Sequence, residues 1–204
     1  MSVADRATGR EIGSHETGSG PRPGFLSTVA ADARVVSANR GRRLGECSRR
    51  RALAEALRLA WTSDAFAAQI LYRLRVRLAD LGVPVLPRIL HRLSILFSQL
   101  CIGDPVTIHP GVHLAHGQIV IDGIVEIEPG CVIFPFTTVG LLAGELRGPT
   151  IRRRATIGSG ARVLGPVEIG SGARVGANAV VLEDVPAGAT AVGAPARIVE
   201  GSTE

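Results

Sequence analysis

An aliphatic residue returns at every sixth position over the second half of this chain, and this period constrains the fold more than any other feature. The residues concerned are Ile151, Ile157, Val163, Ile169, Val175 and Val181. Four residues after each of them comes a small or β-branched residue: Ala155, Ala161, Val167, Ala173, Ala179 and Val185. Neither a helix, with a period of about 3.6 residues, nor a plain strand, with a period of two, gives this pattern. A six-residue repeat is typical of a parallel β-helix, in which the aliphatic residue points inward and the smaller one lies near a corner.

The same register continues towards the N-terminus with two interruptions. Its members there are Ile102, Ile108, Leu114, Ile121, Ile127, Ile133 and Val139. The step from Leu114 to Ile121 is seven residues long, which leaves one extra residue near His116. The stretch Gly140–Thr150 has the glycine, proline and arginine content of a loop that leaves the coils. Val192 and Ile198 form the last pair of this register. Because three hexads make one turn, residues 102–200 form roughly five coils.

The first hundred residues lack this period and predict a different structure. Residues 1–24 are rich in glycine, serine, proline and charge, which predicts a disordered tail. Residues 25–101 predict a helical region with four helices: Phe25–Ala38, Arg50–Trp61, Phe66–Leu81 and Arg88–Leu100. The third helix has an apolar face made of Phe66, Ile70, Leu74, Leu78 and Leu81. In the fourth helix we expect five residues to pack inward: Leu90, Leu93, Leu96, Phe97 and Leu100.

Composition excludes several classes of function. Residues 1–51 carry 10 arginines against 5 acidic residues, whereas the rest of the chain carries 13 of each, so the predicted folded part is neutral overall. This balance argues against nucleic-acid binding. The three cysteines, Cys47, Cys101 and Cys131, have no metal-binding spacing, and their odd number without a signal peptide predicts a cytoplasmic protein. The longest apolar stretch, residues 95–102, is too short to cross a membrane.

The C-terminal part carries a resemblance to a known family. The segment Gly172–Val199 reads GARVGANAVVLEDVPAGATAVGAPARIV and ends the hexads with the element Gly193-Ala-Pro-Ala-Arg197. Together with the preceding helices, it resembles the hexapeptide-repeat acyltransferases, and among them the serine acetyltransferases, over roughly residues 85–200. The resemblance implies a homotrimer of left-handed β-helices, or a dimer of such trimers, with acetyl-CoA bound between neighbouring subunits and no metal. The implied reaction is the O-acetylation of L-serine to O-acetylserine in cysteine biosynthesis.

One histidine matches the catalytic position of that family. The family segment reads approximately Pro-Gly-x-x-Ile-Asp-His-Gly, and residues Pro110–Gly117 of this chain read PGVHLAHG. The match makes His116 the candidate general base, since a neutral imidazole can take the proton from an acceptor hydroxyl near neutral pH. A purely structural histidine in a turn is the alternative.

The resemblance also assigns binding residues, with some departures. Cys101 and Ala115 occupy positions where the family has aspartates, so Asp104 and Asp122 are the candidate substitutes for acceptor binding. Arg147 matches the arginine of a family Arg-His pair, but Gly148 follows it. The positions that match the coenzyme groove are Gly140, Gly158, Gly160, Ala161, Ala179, Pro195 and Arg197. Arg162 and the run Arg152–Arg154 are candidates for the phosphates, or else solvated corner residues.

Two other functions remain open on the sequence alone. Because the acids expected around His116 are missing, the acceptor could be the hydroxyl or amine of a sugar or another small metabolite rather than serine. A β-helix of this kind could also be a scaffold without catalysis. The presence of His116 and of the Pro-Ala-Arg element favours an enzyme.

Overall fold

A computed structural model describes residues 23–42 and 48–199 of the chain. Four helices come first: α1 (Phe25–Asn39), α2 (Arg49–Thr62), α3 (Asp64–Asp80) and α4 (Leu86–Ser98). Fifteen short strands follow: β1 (Leu100–Ile102), β2 (Thr107–Ile108), β3 (His113–Leu114), β4 (Ile119–Ile121), β5 (Ile124–Ile127), β6 (Val132–Ile133), β7 (Thr138–Gly140), β8 (Arg147–Ile151), β9 (Thr156–Ile157), β10 (Arg162–Leu164), β11 (Glu168–Ile169), β12 (Arg174–Val175), β13 (Val180–Val181), β14 (Thr190–Val192) and β15 (Arg197–Val199). Residues 1–22 of the predicted tail lie outside the described residues.

The strands form the three faces of a prism. One face has the order β1-β4-β7-β10-β13, the second β2-β5-β8-β11 and the third β3-β6-β9-β12-β14-β15. All pairings are parallel except that of β14 with β15. Successive triplets of strands therefore make five coils, named here coil 1 (β1–β3) to coil 5 (from β13), with an isolated bridge at Val185 in place of a second strand in coil 5.

The predicted register is confirmed over most of the coils. The inward residues from Ile102 to Val181 are at most 4 % exposed, and they line one continuous core. The small residues four positions later are buried too, as in Ala155, Ala161 and Ala173 at 0 %. The last pair is wrong: Ala191 takes the inward position, while Val192 is 39 % and Ile198 45 % exposed. The final coil is shorter because Val175 pairs with Ala191, sixteen residues on, instead of eighteen.

The segment after β7 leaves the coils as predicted and returns in β8. Val139 and Ile151 still occupy successive inward positions, and the pairing of β5 with β8 shifts register between Ile124 and Glu126. Gly144 takes a φ of 88° at the outer end of this segment. The insertion therefore changes one edge of the prism without disturbing its core.

The helices form at the expected places, but their buried faces differ from the prediction. In α3 the buried residues include Gln69, Tyr72, Arg73 and Arg75, whereas Leu81 is 64 % exposed. In α4 the apolar residues Leu96 and Phe97 are exposed, and Ser94 and Ser98 are buried instead. The amphipathic rule assumes that a buried face is apolar. It fails in α3 because this helix covers an open row of backbone carbonyls.

Helix α3 caps the first coil with polar side chains. Coil 1 has no coil before it, so carbonyl groups on that side need donors from elsewhere. The side chains of α3 donate to six of them, on Ile102, Gly103, Val106, Ile108, His109 and Val112. Arg73 also pairs with Asp32 of α1, with Nε 2.9 Å from Oδ2. The guanidinium groups of Arg73 and Arg75 lie over the ring of Tyr72, at 5.5 and 5.3 Å from its centroid.

Candidate functional site

His116 lies where the chain passes from the third face of coil 1 to the first face of coil 2. The same corner recurs in each coil, and at each recurrence one residue has a left-handed backbone. These residues form what we call the left-handed corner: Gln99 (φ 53°), Gln118 (61°), Phe136 (62°), Gly160 (74°) and Asn178 (57°). From Leu114 to Gln118 the chain needs one residue more than from Ile133 to Phe136. The predicted extra residue therefore falls at His116 and Gly117.

The backbone around His116 is fixed on both sides while the imidazole is exposed. The N–H of Gln118 donates to Ser98 O at the end of α4, at 2.9 Å, and the N–H of Ala115 donates to Ile133 O of coil 2, at 2.9 Å. A Cβ on Gly117 would lie 1.8 Å from Ser98 O, so only glycine allows this approach of the corner to α4. The corner thus presents His116 to solvent from a rigid turn.

A second histidine is buried close to His116. His113 belongs to β3 and is 6 % exposed. Neither of its ring nitrogens has a hydrogen-bond partner among the described residues. Burial, with smaller contributions from the charges of Arg40 and His116, lowers the pKa of His113 to about 4. His113 therefore stays neutral at neutral pH and adds no positive charge beside His116.

The predicted acceptor residues lie at the neighbouring edge of the prism, across strand β4. A Cβ on Gly103 would lie 2.4 Å from Oδ1 of Asp122, and one on Gly148 would lie 3.4 Å from Asp122 O. Arg147 of coil 3 pairs with Ile124 of coil 2, so Asp122 and Arg147 share this edge with Gly140. Asp104 has a side chain that is 97 % exposed and lies 3.4 Å from Nη1 of Arg75. The structure brings Asp122, Gly140 and Arg147 together and leaves His116 one strand away.

Several predicted coenzyme residues lie on the left-handed corner, further along from His116. Gly158 and Gly160 follow Phe134 and Phe136 by one coil, as the hydrogen bond from Gly160 N to Pro135 O at 3.0 Å shows. Both glycines have a structural reason: a Cβ at Gly158 would lie 2.7 Å from Ala177 N, and one at Gly160 2.1 Å from Oδ1 of Asn178.

The remaining predicted coenzyme residues differ in what they expose. Ala161 and Ala179 are 0 % exposed, so their methyl groups face the core and only their backbone could contact a ligand. Pro195 and Arg197 are exposed beyond coil 5, where Ala196 N donates to Val180 O at 2.7 Å. Of the phosphate candidates, Arg162 donates to the carbonyl groups of Phe136 and Gly160, and Arg152 pairs with Glu128 and Glu168.

Comparison with known proteins agrees with this fold. The family model of the bacterial transferase hexapeptide (six repeats) matches residues 148–183. A serine acetyltransferase of Synechococcus elongatus is 32% identical over 178 residues, which cover 86% of this chain and 69% of that protein. The chain belongs to the serine acetyltransferase family. The solved structures agree: a serine acetyltransferase in complex with CoA superposes with a TM-score of 0.72 at 30% identity, over 86% of this chain and 69% of the other.

Another solved relative is a complex with serine. The serine acetyltransferase of Neisseria gonorrhoeae in complex with serine has a TM-score of 0.63 and 26% identity, over 85% of this chain and 68% of that one. Membership of the serine acetyltransferase family makes this chain an acyltransferase, and it confirms the hexapeptide β-helix predicted from the period.

Other features of the described chain have structural explanations. His109 lies on the second face, with its Nε2 2.8 Å from Oε1 of Glu126, away from the left-handed corner. Within residues 23–42 and 48–199, no group of three histidine, cysteine or acidic residues is placed to hold a metal ion. None of the helices described is long and apolar enough to span a membrane.

Sequence reasoning missed two residues beside His116. Phe134 and Phe136 lie at the same corner in the next coil and are 37 % and 57 % exposed. A signal for them exists, because the chain has only seven aromatic residues, five Phe, one Trp and one Tyr, and two of them fall in one corner. Exposed phenylalanine at the turn of a solenoid contributes nothing to its core.

Proposed function

We propose that this chain transfers the acetyl group of acetyl-CoA to the hydroxyl of L-serine, with His116 as the general base. The observation that carries the proposal is the position of His116 at the one irregular turn of the corner, where its imidazole is exposed beside a fixed backbone. General-base catalysis needs an imidazole that is held in place and can still reach the acceptor. The related structures, which hold CoA in one case and serine in another, support the two substrates.

His116 can serve as both the base and the acid of the transfer. The imidazole of His116 takes the proton of the serine hydroxyl while the oxygen attacks the thioester carbonyl and forms a tetrahedral intermediate. The carbon–sulfur bond then breaks, the thiolate of CoA leaves with the electron pair, and it receives the proton from the imidazolium. The uncharged state of nearby His113 helps, because a second positive charge would disfavour that imidazolium.

We assign the acceptor to charges at the edge across strand β4 of a neighbouring subunit in the trimer, since within one chain this edge lies one strand away from His116. We assign the carboxylate of serine to Arg147, because a guanidinium binds a carboxylate through two parallel hydrogen bonds. Asp122, which shares the edge, is assigned to the ammonium group, and Asp104 is the second acid within this exposed region. Glycine is required at position 148, because a Cβ there would lie 2.5 Å from Cγ2 of Val125.

Acetyl-CoA is assigned to the left-handed corner, from Pro195 and Arg197 to His116. The backbone of Gly158, Gly160, Ala161 and Ala179 would line its path, whereas Gly140 lies at the edge assigned to the acceptor. Arg197 is exposed and suited to the phosphates, whereas Arg162 is held by carbonyl groups. We propose no metal, because attack on a thioester needs only the base and a site that binds the carbonyl oxygen.

We also propose that the protein works as a homotrimer in the cytoplasm. The apolar residues exposed around α4 support self-association: Val85 is 60 %, Leu96 73 % and Phe97 66 % exposed. Exposed apolar patches of this kind mark interaction surfaces in soluble proteins. Sedimentation of the purified chain at the mass of one subunit would contradict the trimer.

The central test is His116→Ala in a thiol-release assay with acetyl-CoA and serine. We expect kcat to fall by about 10²–10⁴-fold, since that is the usual contribution of a positioned base, with little change in the affinity for CoA. The matched control is His109→Ala, which removes an imidazole paired with Glu126 on another face and should leave kcat nearly unchanged. Equal rates for the wild type and His116→Ala would refute the assignment. Parallel assays with homoserine and amino sugars would show whether serine is the preferred acceptor.

A further inference from the structure

Phe134 and Phe136 form an exposed aromatic pair on the left-handed corner. They are 37 % and 57 % exposed, and Pro135 separates them in the chain. Corner residues elsewhere in the coils are small or polar, such as Gly160 and Asn178. Neither ring fills the core, so the folding of the coils does not explain this pair.

The backbone of Phe136 is in an unfavourable conformation. Its φ of 62° is left-handed, a region that glycine and asparagine enter far more readily than a bulky residue. The guanidinium of Arg162 holds the turn by donating to the carbonyl groups of Phe136 and Gly160. Strained conformations that the surroundings enforce are concentrated at functional sites. A more permissive residue would stabilise the turn, so the presence of phenylalanine indicates another role.

The position of the pair suggests this role. The N–H of Ala115, next to His116, donates to Ile133 O, and the N–H of Phe134 donates to Ile157 O, next to Gly158. The pair therefore lies one coil beyond His116 and one coil before the two glycines, with about 4.8 Å between coils. A molecule that runs along Gly158 and Gly160 and places its thioester at His116 must cross both rings.

We propose that Phe134 and Phe136 form the apolar wall on which the thioester end of the pantetheine arm of acyl-CoA packs, and that they determine the affinity for the acyl donor. This inference rests on the proposed function, because it takes His116 as the reacting end. The methylene groups and the sulfur next to the thioester suit aromatic rings, since sulfur–aromatic contacts are favourable. The rings also exclude water from the thioester, which limits hydrolysis of the donor.

The test is Phe136→Asn, which removes the ring and suits the left-handed backbone. We expect KM for acetyl-CoA and the Kd for CoA to rise about three- to tenfold, the loss expected for one aromatic contact, with kcat nearly unchanged. We also expect Tm to rise by roughly 2–4 °C, because the backbone strain is relieved. A residue needed for packing would instead lower Tm when it is replaced. Leu182→Asn is the matched control, since Leu182 is 44 % exposed at another edge and should change neither KM nor Kd.

The outcomes separate this inference from the proposed function. An unchanged Kd for CoA in Phe136→Asn would overturn the inference, even if the wild type is an active acetyltransferase. A fall in sedimentation mass would also overturn it, because the rings would then contact a neighbouring subunit. If the wild type binds CoA but releases no thiol with any acceptor, the proposed reaction fails, and the Kd ratio still decides the role of the pair. A wild type that does not bind CoA would refute both.

Discussion

In the coils, the residues of the core from Ile102 to Ala191 are aliphatic except for Cys131, and hydrogen bonds between coils satisfy the backbone. Where α3 meets coil 1, the buried side chains include the polar residues Gln69, Tyr72, Arg73 and Arg75. Both regions exclude water, but the coils do so with apolar packing and the cap with hydrogen bonds and charge. The difference follows from position: each inner coil has a coil on both sides, whereas coil 1 has one on only one side. The cap of this solenoid therefore depends more on hydrogen bonding to open carbonyl groups than on hydrophobic burial.

The largest effect is expected at the cap, from Arg73→Met. This change leaves the carboxylate of Asp32 buried, 2 % exposed, without its partner, and it also removes the donors to Ile108 O and His109 O. Breaking a buried ion pair by removing one partner costs about 3–5 kcal/mol of the free energy of unfolding. Chemical denaturation of the wild type and the variant measures this loss.

A double variant makes this prediction sharper. In Asp32→Leu combined with Arg73→Met, no buried charge remains, so part of the loss should be recovered. Recovery should stay incomplete, because the N–H of Gly111, 2.7 Å from Asp32 Oδ1, also loses its acceptor. If Arg73→Met alone cost less than about 1 kcal/mol, as an exposed pair does, the cap would not depend on this buried pair.

In the coils, the corresponding change is Ile157→Ala. Ile157 is 0 % exposed and lies in the continuous core, so the deletion leaves a cavity between coils. We expect a loss of about 2–5 kcal/mol, and about 0.5–1.5 kcal/mol for the control Ile157→Val. Denaturation at low and high salt should give the same values, since no charge is involved. A loss for Ile157→Ala no larger than that for Ile157→Val would show that the coils collapse around the missing atoms.

The coils could be predicted from the sequence because their period is a property of the sequence itself. Each hexad places an aliphatic residue at the same position, so every sixth residue from Ile151 to Val181 faces inward. The prediction failed at Val192 and Ile198, because the last coil is shortened and Ala191 takes the inward place. A period can be extrapolated only as far as the coil length stays constant.

The cap could not be predicted in the same way, because its residues have partners far away in the sequence. Arg73 contacts Asp32, 41 residues earlier, and accepting carbonyls 35 and 36 residues later. Helical periodicity favoured Leu74, Leu78 and Leu81 as the buried face, although Leu81 is exposed. The site falls between these cases: the family resemblance, together with the break in register, indicated His116, but only the structure revealed the aromatic pair in the next coil.

His113 allows a smaller, pH-dependent test at the junction of cap and coils. Its pKa is lowered to about 4 by burial, whereas an unfolded histidine titrates near 6.5. Between these values the unfolded chain takes up a proton that the folded chain does not, so the stability contributed by neutral His113 is complete above pH 6.5 and falls towards pH 4. The loss at pH 4 is roughly 3 kcal/mol from this residue. His113→Phe should remove this loss of stability at low pH.

The measurement is the difference in unfolding free energy between the wild type and His113→Phe at several pH values. Subtraction cancels the pH dependence that comes from the carboxyl groups, which titrate in the same range. We expect the free energy of unfolding of the variant, relative to that of the wild type, to rise steadily as the pH falls from 6.5 to 4. Parallel curves would mean that His113 is hydrated or partnered in the folded protein.

The smallest effect is expected from the ion pairs on the outside of the coils. Arg152 lies between Glu128 and Glu168, at 3.0 and 2.7 Å, and its side chain is 32 % exposed. Because water and salt reach this network, we expect Arg152→Gln to cost about 1 kcal/mol or less, and still less in about 1 M NaCl. Arg73→Met should lose the same stability at both salt concentrations, since its pair is shielded from solvent. A large loss of unfolding free energy for Arg152→Gln that does not depend on salt would contradict the distinction between coils and cap, because charge would then stabilise the coils as it does the cap.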